Sequence, residues 1–276
     1  MEIAVTGGSG RLGKVVVHQL LDQGYNVRSL DWTAPQAMEK SNPALAFKLI
    51  DLSNLEALRE AFRGCEAVIH LAAYPGPQGH PPGEVYTNNT RASYNMLYAA
   101  SSLGIRHVCQ ASSVNALGGM GSDVGRYEYL PVDEKHPTFN MDDYSLSKWI
   151  MEQQADSFAR RFPKMTISSL RFHALPDETP ELQTTHETSD SPGARGLWGW
   201  TLVGEAARAC VLAVTQASFT GHEVFFIVAP ATYSAIPSLE LARYTYPNLP
   251  IRGDLSGHKS LIDCSKAARF LGWIHK

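Results

Sequence analysis

Thr6-Gly7-Gly8-Ser9-Gly10-Arg11-Leu12-Gly13 lies between a short apolar run at residues 3–6 and a helical pattern at 12–23. Gly7, Gly10 and Gly13 repeat at G-x-x-G-x-x-G spacing in a strand–turn–helix setting. The first glycine of such a turn permits the tight bend, and the second lets the backbone approach a pyrophosphate. The third allows the helix to pack closely on the strand. The helix start then offers N–H groups and the positive end of its dipole to phosphate oxygens. Gly7, Ser9, Gly10, Arg11, Leu12 and Gly13 are therefore the expected phosphate turn.

Asp31 closes the second apolar run, 18 residues beyond Gly13. A carboxylate there hydrogen-bonds ribose hydroxyls and repels a 2′-phosphate, which predicts NAD rather than NADP as the cofactor. Gly8 to Lys14 also reads G-x-x-x-x-G-K, close to the phosphate loop of nucleoside triphosphatases. The next position must supply a hydroxyl for magnesium, and it is Val15.

Outward from the turn, short apolar runs at 3–6, 26–30, 46–49, 67–71, 106–111 and 165–170 alternate with helical patterns. These patterns cover 12–23, 55–62, 85–103 and 144–162. Runs rich in Val and Ile and bounded by turn residues read as strands buried on both faces. Their alternation with helices predicts an α/β chain with a doubly wound parallel sheet, a Rossmann fold spanning residues 1–172. Residues 173–276 are expected to form a small substrate-side lobe, packed on the first part and partly interleaved with it. Residues 176–196 hold four Thr, three Glu and three Pro without apolar periodicity. Such a loop suggests a lid over substrate. A helix at 202–216, a strand at 224–228 and short helices at 238–244 and 265–271 follow.

Composition bounds the function classes. Of 276 residues, 44% are hydrophobic and 18% charged, as in ordinary globular chains. A net charge of −3 gives no electrostatic case for nucleic acid or an anionic membrane. No apolar run approaches a membrane span, and the start MEIAVTG reads as a strand rather than a leader. Cys65, Cys109, Cys210 and Cys264 are far apart with no metal-ligand spacing. Reduced thiols, no metal and a cytoplasmic location are expected.

Tyr144-Ser145-Leu146-Ser147-Lys148 places a phenol and an ammonium four residues apart, on one face of a predicted helix. A phenol with a pKa of about 10 is a poor base, and a nearby cation stabilises its phenolate. Lowering that pKa by about three units takes about 4 kcal/mol. Tyr144 can then take a hydroxyl proton while hydride leaves for a nicotinamide ring. The run 106–111 ends in Ser112-Ser113 at the carboxyl edge of the sheet, where ligands bind in such folds. A serine there can steady a developing alkoxide.

With these elements in this order, the chain resembles the extended short-chain dehydrogenase/reductase family. That family includes nucleotide-sugar epimerases, dehydratases and uronate dehydrogenases. The resemblance implies Ser113, counted back from Gly118, as the catalytic serine with Tyr144 and Lys148. Ser112 remains within reach of cofactor and substrate. It implies that Asp51-Leu52 contacts adenine and that His70-Leu71-Ala72-Ala73 forms the cofactor-side turn. Asn89, opening N-x-x-x-x-x-N-x-L, matches the asparagine below the nicotinamide pocket. Arg171-Phe172 resembles the corner from cofactor to substrate. It also implies a homodimer through the helices 85–103 and 144–162.

The resemblance leaves two reactions open. Epimerases of the family carry Tyr-Gly where this chain has Leu117-Gly118, and they have a longer C-terminal domain gripping the nucleotide of the sugar donor. The expectation is therefore a dehydrogenase of a free sugar or sugar acid, with a nucleotide-sugar epimerase/dehydratase as the alternative. The Arg195…Trp200 spacing is similar to uronate dehydrogenases and makes Arg195 a candidate carboxylate clamp. Val114-Asn115 stands where those enzymes have Asn-His. Asn115 and His173 join Arg195 and Ser112 as candidate substrate contacts, and His173 is equally readable as structural. A non-catalytic NAD-binding sensor is a further reading, although such relatives typically lose the tyrosine or lysine that this chain keeps.

Overall fold

The protein is described from a computed structural model covering residues 1–34, 42–76, 78–120 and 125–276. Seven parallel strands form one sheet: β1 (Glu2–Thr6), β2 (Asn26–Asp31), β3 (Leu45–Leu49), β4 (Ala67–His70), β5 (His107–Ser113), β6 (Thr166–Phe172) and β7 (Gly221–Ile227). Their spatial order is β3-β2-β1-β4-β5-β6-β7. The chain therefore leaves the β3 edge, crosses over and resumes beside β1 at β4. That reversal opens a crevice at the carboxyl ends of β1 and β4, where such folds bind ligands. Every residue of β4 and β6 is buried, whereas β3 at the sheet edge is largely exposed.

Helices cover both faces, as the alternation requires. On one side α1 (Arg11–Asp22), α6 (Val203–Thr215) and α8 (Ser265–Leu271) bury Val16, Leu20, Cys210, Val214 and Leu271 against the sheet. On the other, α2 (Leu55–Phe62), α3 (Glu84–Ser102) and α4 (Asp143–Arg161) bury Leu58, Phe62, Met96, Leu97 and Phe158. Among the described residues no helix is long and apolar enough to cross a membrane.

The C-terminal part is more interleaved than a boundary at residue 172 conveys. β7 extends the main sheet beside β6, and α6 lies on the same face as α1. A third apolar cluster joins Val114, Leu130 and Val132, which precede α4, to Trp198, Phe226, Leu241 and Leu261. That cluster is thus built from both halves of the chain, and α5 (Pro192–Arg195) and α7 (Ser238–Thr245) contribute to it.

The polar stretch 176–196 is pinned in place. Its Gln183 bridges Ser234, with backbone bonds to Tyr233 and Ala235. The Glu187 carboxylate accepts from Gln183 Nε2 at 2.8 Å, Ser191 Oγ at 2.9 Å and Trp198 Nε1 at 3.0 Å. Gln183, Glu187 and Ser191 thus form a hydrogen-bonded cluster with Trp198, while most other polar residues of the stretch stay exposed.

Candidate functional site

Steric demand explains the glycine turn. Gly7 has φ +72°, and a side-chain carbon on it would meet Ala72 N at 2.7 Å. One on Gly13 would meet the Gly7 carbonyl oxygen at 2.0 Å. Gly10 caps α1 with no side chain to accept the first helix N–H groups, and the first turn carries no acidic residue. The helix start is therefore open to an anion. Arg11 pairs with Asp177 at 2.8 Å, and Leu12 packs on the core beside α1.

Beside the turn lies a cleft of about 980 Å³, lined by Gly7, Asp31, Asp51, Leu52, Ala72 and Tyr74 among others. Asp31 accepts from Ser9 N at 2.9 Å and Thr33 N at 3.1 Å, and Ser9 Oγ donates to Thr33 O at 2.8 Å. The carboxylate is held at the cleft wall where ribose hydroxyls are expected. Asp51 accepts from the hydroxyl and N–H of Ser53, which hold its carboxyl below the usual range. Leu71, Ala72 and Ala73 line the opposite wall. An open helix start, a glycine-rich turn and a fixed carboxylate in a cleft of this size fit a dinucleotide.

Asn89, on α3, is buried and braces this wall. Its Oδ1 accepts from Tyr74 N at 2.8 Å, and its Nδ2 donates to Tyr74 O at 3.1 Å and Ser147 Oγ at 3.2 Å. At the end of β4, His70 Nδ1 meets Thr6 Oγ1 at 2.7 Å, and burial pushes the imidazole down to about 3. His70 is thus a neutral structural group.

Asp142 caps α4, accepting from Ser145 N at 2.8 Å. Tyr144 follows in the first turn and Lys148 one turn on. Lys148 is buried, donates to Ala111 O at 2.8 Å and lies 5.6 Å from the centre of the Tyr144 ring. Burial lowers its ammonium to about 8, opposed by the nearby Glu152 carboxylate. Burial raises the Tyr144 phenol, and a hydrogen bond with the Ser113 hydroxyl partly counters it. Ser113 Oγ also accepts from Asn115 N at 3.1 Å. Ser112 turns the other way, and its hydroxyl donates to Glu152 Oε1 at 2.6 Å. That hydroxyl is taken up beneath the site, which leaves Ser113 beside the phenol.

Glu152, one turn beyond Lys148, also receives Arg171 Nε and Nη2 at 2.9 and 2.8 Å. Its position at i+4 from Lys148 is the sequence signal that marks it. Phe172 is buried in the core at the end of β6.

Beyond β6, His173 Nδ1 accepts from Ala174 N at 2.7 Å, so its ring proton sits on Nε2 and goes to Gly196 O at 2.9 Å. Burial lowers this imidazole to about 4. Both nitrogens are occupied, which assigns His173 to holding the 196 turn. Tyr246 Oη donates to Ala194 O at 2.9 Å, and Tyr127 Oη to Arg195 O at 2.5 Å. Three consecutive carbonyls, Ala194 to Gly196, are therefore each held by a different side chain. Leu197 and Trp198 follow with φ +53° and +48°, a left-handed backbone that costs about 1–3 kcal/mol per residue. Arg195 sits on a fixed turn. No sequence signal marked Tyr127 or Tyr246.

One arrangement resembles a nucleophilic triad: Ser169 Oγ to His222 Nε2 at 2.7 Å, and His222 Nδ1 to Asp156 at 2.7 Å. Ser169 is wholly buried and already receives Gln110 Nε2 at 2.8 Å. A substrate has no approach to it.

Residues 3–178 match the family model described as NAD dependent epimerase/dehydratase. A putative UDP-glucose 4-epimerase of Methanocaldococcus jannaschii is 30% identical over 163 residues, 58% of this chain and 52% of that one. A dTDP-6-deoxy-L-talose 4-dehydrogenase (NAD(+)) of Aggregatibacter actinomycetemcomitans is 26% identical, over 63% of this chain and 62% of that one. The chain thus spans about half to three-fifths of these relatives. A mutated uronate dehydrogenase superimposes with TM-score 0.73 at 21% identity, covering 100% of this chain and 81% of that one. This last likeness shows a shared fold.

Proposed function

The chain belongs to the NAD dependent epimerase/dehydratase family, and from that premise we propose an NAD-dependent oxidoreductase acting on the carbinol of a sugar or sugar acid. The observation that carries the proposal is the buried Lys148, tied to the Ala111 carbonyl at the end of β5 and 5.6 Å from the centre of the Tyr144 ring one helical turn before it, next to the glycine-turn cleft. A bound nicotinamide supplies the hydride acceptor and a positive charge beside the phenol. Tyr144 takes the substrate hydroxyl proton as general base. Lys148 favours its phenolate, and Ser113 steadies the substrate oxygen as charge develops there. Asp31 selects NAD by offering acceptors to ribose hydroxyls and repelling a 2′-phosphate.

Asn115 and Arg195 complete the substrate side. The Asn115 Oδ1 atom is buried without a partner next to Ser113 and suits a substrate hydroxyl. Arg195, on its anchored turn, suits a carboxylate. Two chains pair through α3 and α4, which expose Tyr94 and Leu146. Four free cysteines agree with a cytoplasmic site of action.

The relatives' names favour one competing reading, a nucleotide-sugar epimerase or dehydratase that keeps its reduced cofactor. Calorimetry with NAD and NADP, followed by turnover on free aldoses, hexuronic acids and UDP-sugars, separates the readings. Released NADH with a free sugar supports the dehydrogenase. Sugar interconversion without released NADH supports the epimerase, and tight NAD binding without turnover supports the sensor. Preference for NADP, or no binding, overturns the proposal.

A further inference from the structure

Trp32 follows Asp31 directly and is the one exposed tryptophan among the described residues, at 69%. A large apolar side chain in solvent needs a reason, and its surroundings supply one. It lines the same cleft as Asp31, and its ring centre lies 5.7 Å from that of Tyr74, tilted by 46°. The two rings come from opposite sides of β1, since Trp32 follows β2 and Tyr74 follows β4. Both rings line the cleft.

Both rings are held by their backbones. Trp32 lies between Asp31 and Thr33, which are tied to each other and to Ser9. Tyr74 is gripped at both its N–H and its carbonyl by Asn89, and its ring stacks on His80 at 3.9 Å. The interior of the cleft offers Ile50 and Leu52 as apolar wall. A slot with an aliphatic wall, an aromatic cover and carboxylates at its edge suits a flat heteroaromatic base carrying a ribose.

We propose that Trp32, with Tyr74 opposite it, is an aromatic clasp over the adenosine half of the dinucleotide, and that Trp32 sets the affinity for that half. The proposal rests on the NAD reading above and adds to it a recognition element outside the glycine turn and Asp31. Stacking on a base face is indifferent to the nicotinamide end. It therefore acts on ground-state affinity, not on the proton and hydride steps.

The test uses ADP-ribose, which carries only the adenosine half, and nicotinamide mononucleotide, which lacks it. Calorimetry and intrinsic tryptophan fluorescence are recorded for the wild type, Trp32→Ala and Trp32→Phe, with NAD as reference. Because Trp32 is exposed, Trp32→Ala is expected to melt as the wild type does. The clasp predicts fluorescence quenching by ADP-ribose in the wild type and its loss in both variants. It predicts about 5- to 150-fold weaker ADP-ribose binding by Trp32→Ala. Trp32→Phe should recover most of that affinity, and nicotinamide mononucleotide should bind all three alike. Equal ADP-ribose affinity in the wild type and Trp32→Ala, or quenching that survives both substitutions, overturns the clasp alone. Failure of the wild type to bind NAD or ADP-ribose overturns the NAD reading and the clasp with it.

Discussion

Glu152 and Arg171 form a two-pronged ion pair, at 2.9 and 2.8 Å, sealed from solvent beneath the strand end that carries Ser113. Ser112 adds a third bond to the same carboxylate, so one acidic group ties α4 to both β5 and β6. Removing it strands a guanidinium in a medium of low dielectric. Glu152→Ala should therefore cost about 3–5 kcal/mol in urea unfolding. A Glu152→Met, Arg171→Met double variant should recover much of that loss. A single variant as stable as the wild type would contradict this account of the site's foundation.

The glycine turn makes a second prediction. Gly13→Ala drives a carbon into the Gly7 carbonyl, and backbone cannot step aside as a flexible side chain can. The loss should reach or pass the usual overpacking range of about 1–3 kcal/mol. Dinucleotide affinity should fall with it. Gly24, at φ +80° with open space around it, is the control. Gly24→Ala should cost about 1–2 kcal/mol from its left-handed backbone and leave affinity intact. Equal stability and affinity losses in the two would remove the steric argument.

Acid sensitivity follows from His70. Its folded value of about 3 lies below the ordinary 6.5 because burial disfavours the charged ring. Between those values the unfolded chain holds a proton that the folded chain lacks, so stability is lost as pH falls through that window. The slope from His70 alone is about 1.4 kcal/mol per pH unit. His173, lowered to about 4, acts in the same direction. Denaturant unfolding at several pH values between about 6.5 and 4 should show His70→Gln flattening the slope by one proton's worth. An unchanged slope would place the acid sensitivity elsewhere.

Arg195 should separate substrates. If its guanidinium grips a carboxylate, Arg195→Met raises KM for hexuronic acids about 10- to 100-fold, as expected for a charge-assisted pair worth about 1.5–3 kcal/mol. Neutral aldoses should be unaffected. Equal effects on both classes would make Arg195 a support of its turn rather than a clamp.

What the sequence disclosed divides along the distance between partners. The glycine turn, Asp31 and the Tyr144–Lys148 pair are patterns within one element or turn, and periodicity reveals them. The helices at 55–62 and 265–271 coincide with α2 and α8 for the same reason. α6 and β7 were legible as elements, but their return to the first sheet depends on pairing that no local pattern records. The Arg195 turn was illegible for a stronger reason: its carbonyls are held by residues 68 and 52 positions away. The polarity of 176–196 marked a loop, but nothing local shows that Glu187 gathers Gln183, Ser191 and Trp198 around its carboxylate.

The central claim is that Tyr144 moves the proton while hydride passes between substrate and NAD. The most direct test is NADH formation by the purified protein with NAD and a panel of aldoses and hexuronic acids, repeated with Tyr144→Phe. The account predicts turnover on at least one member and a loss of about 100-fold or more in the variant, at unchanged NAD affinity. Turnover by Tyr144→Phe at the wild-type rate would contradict it.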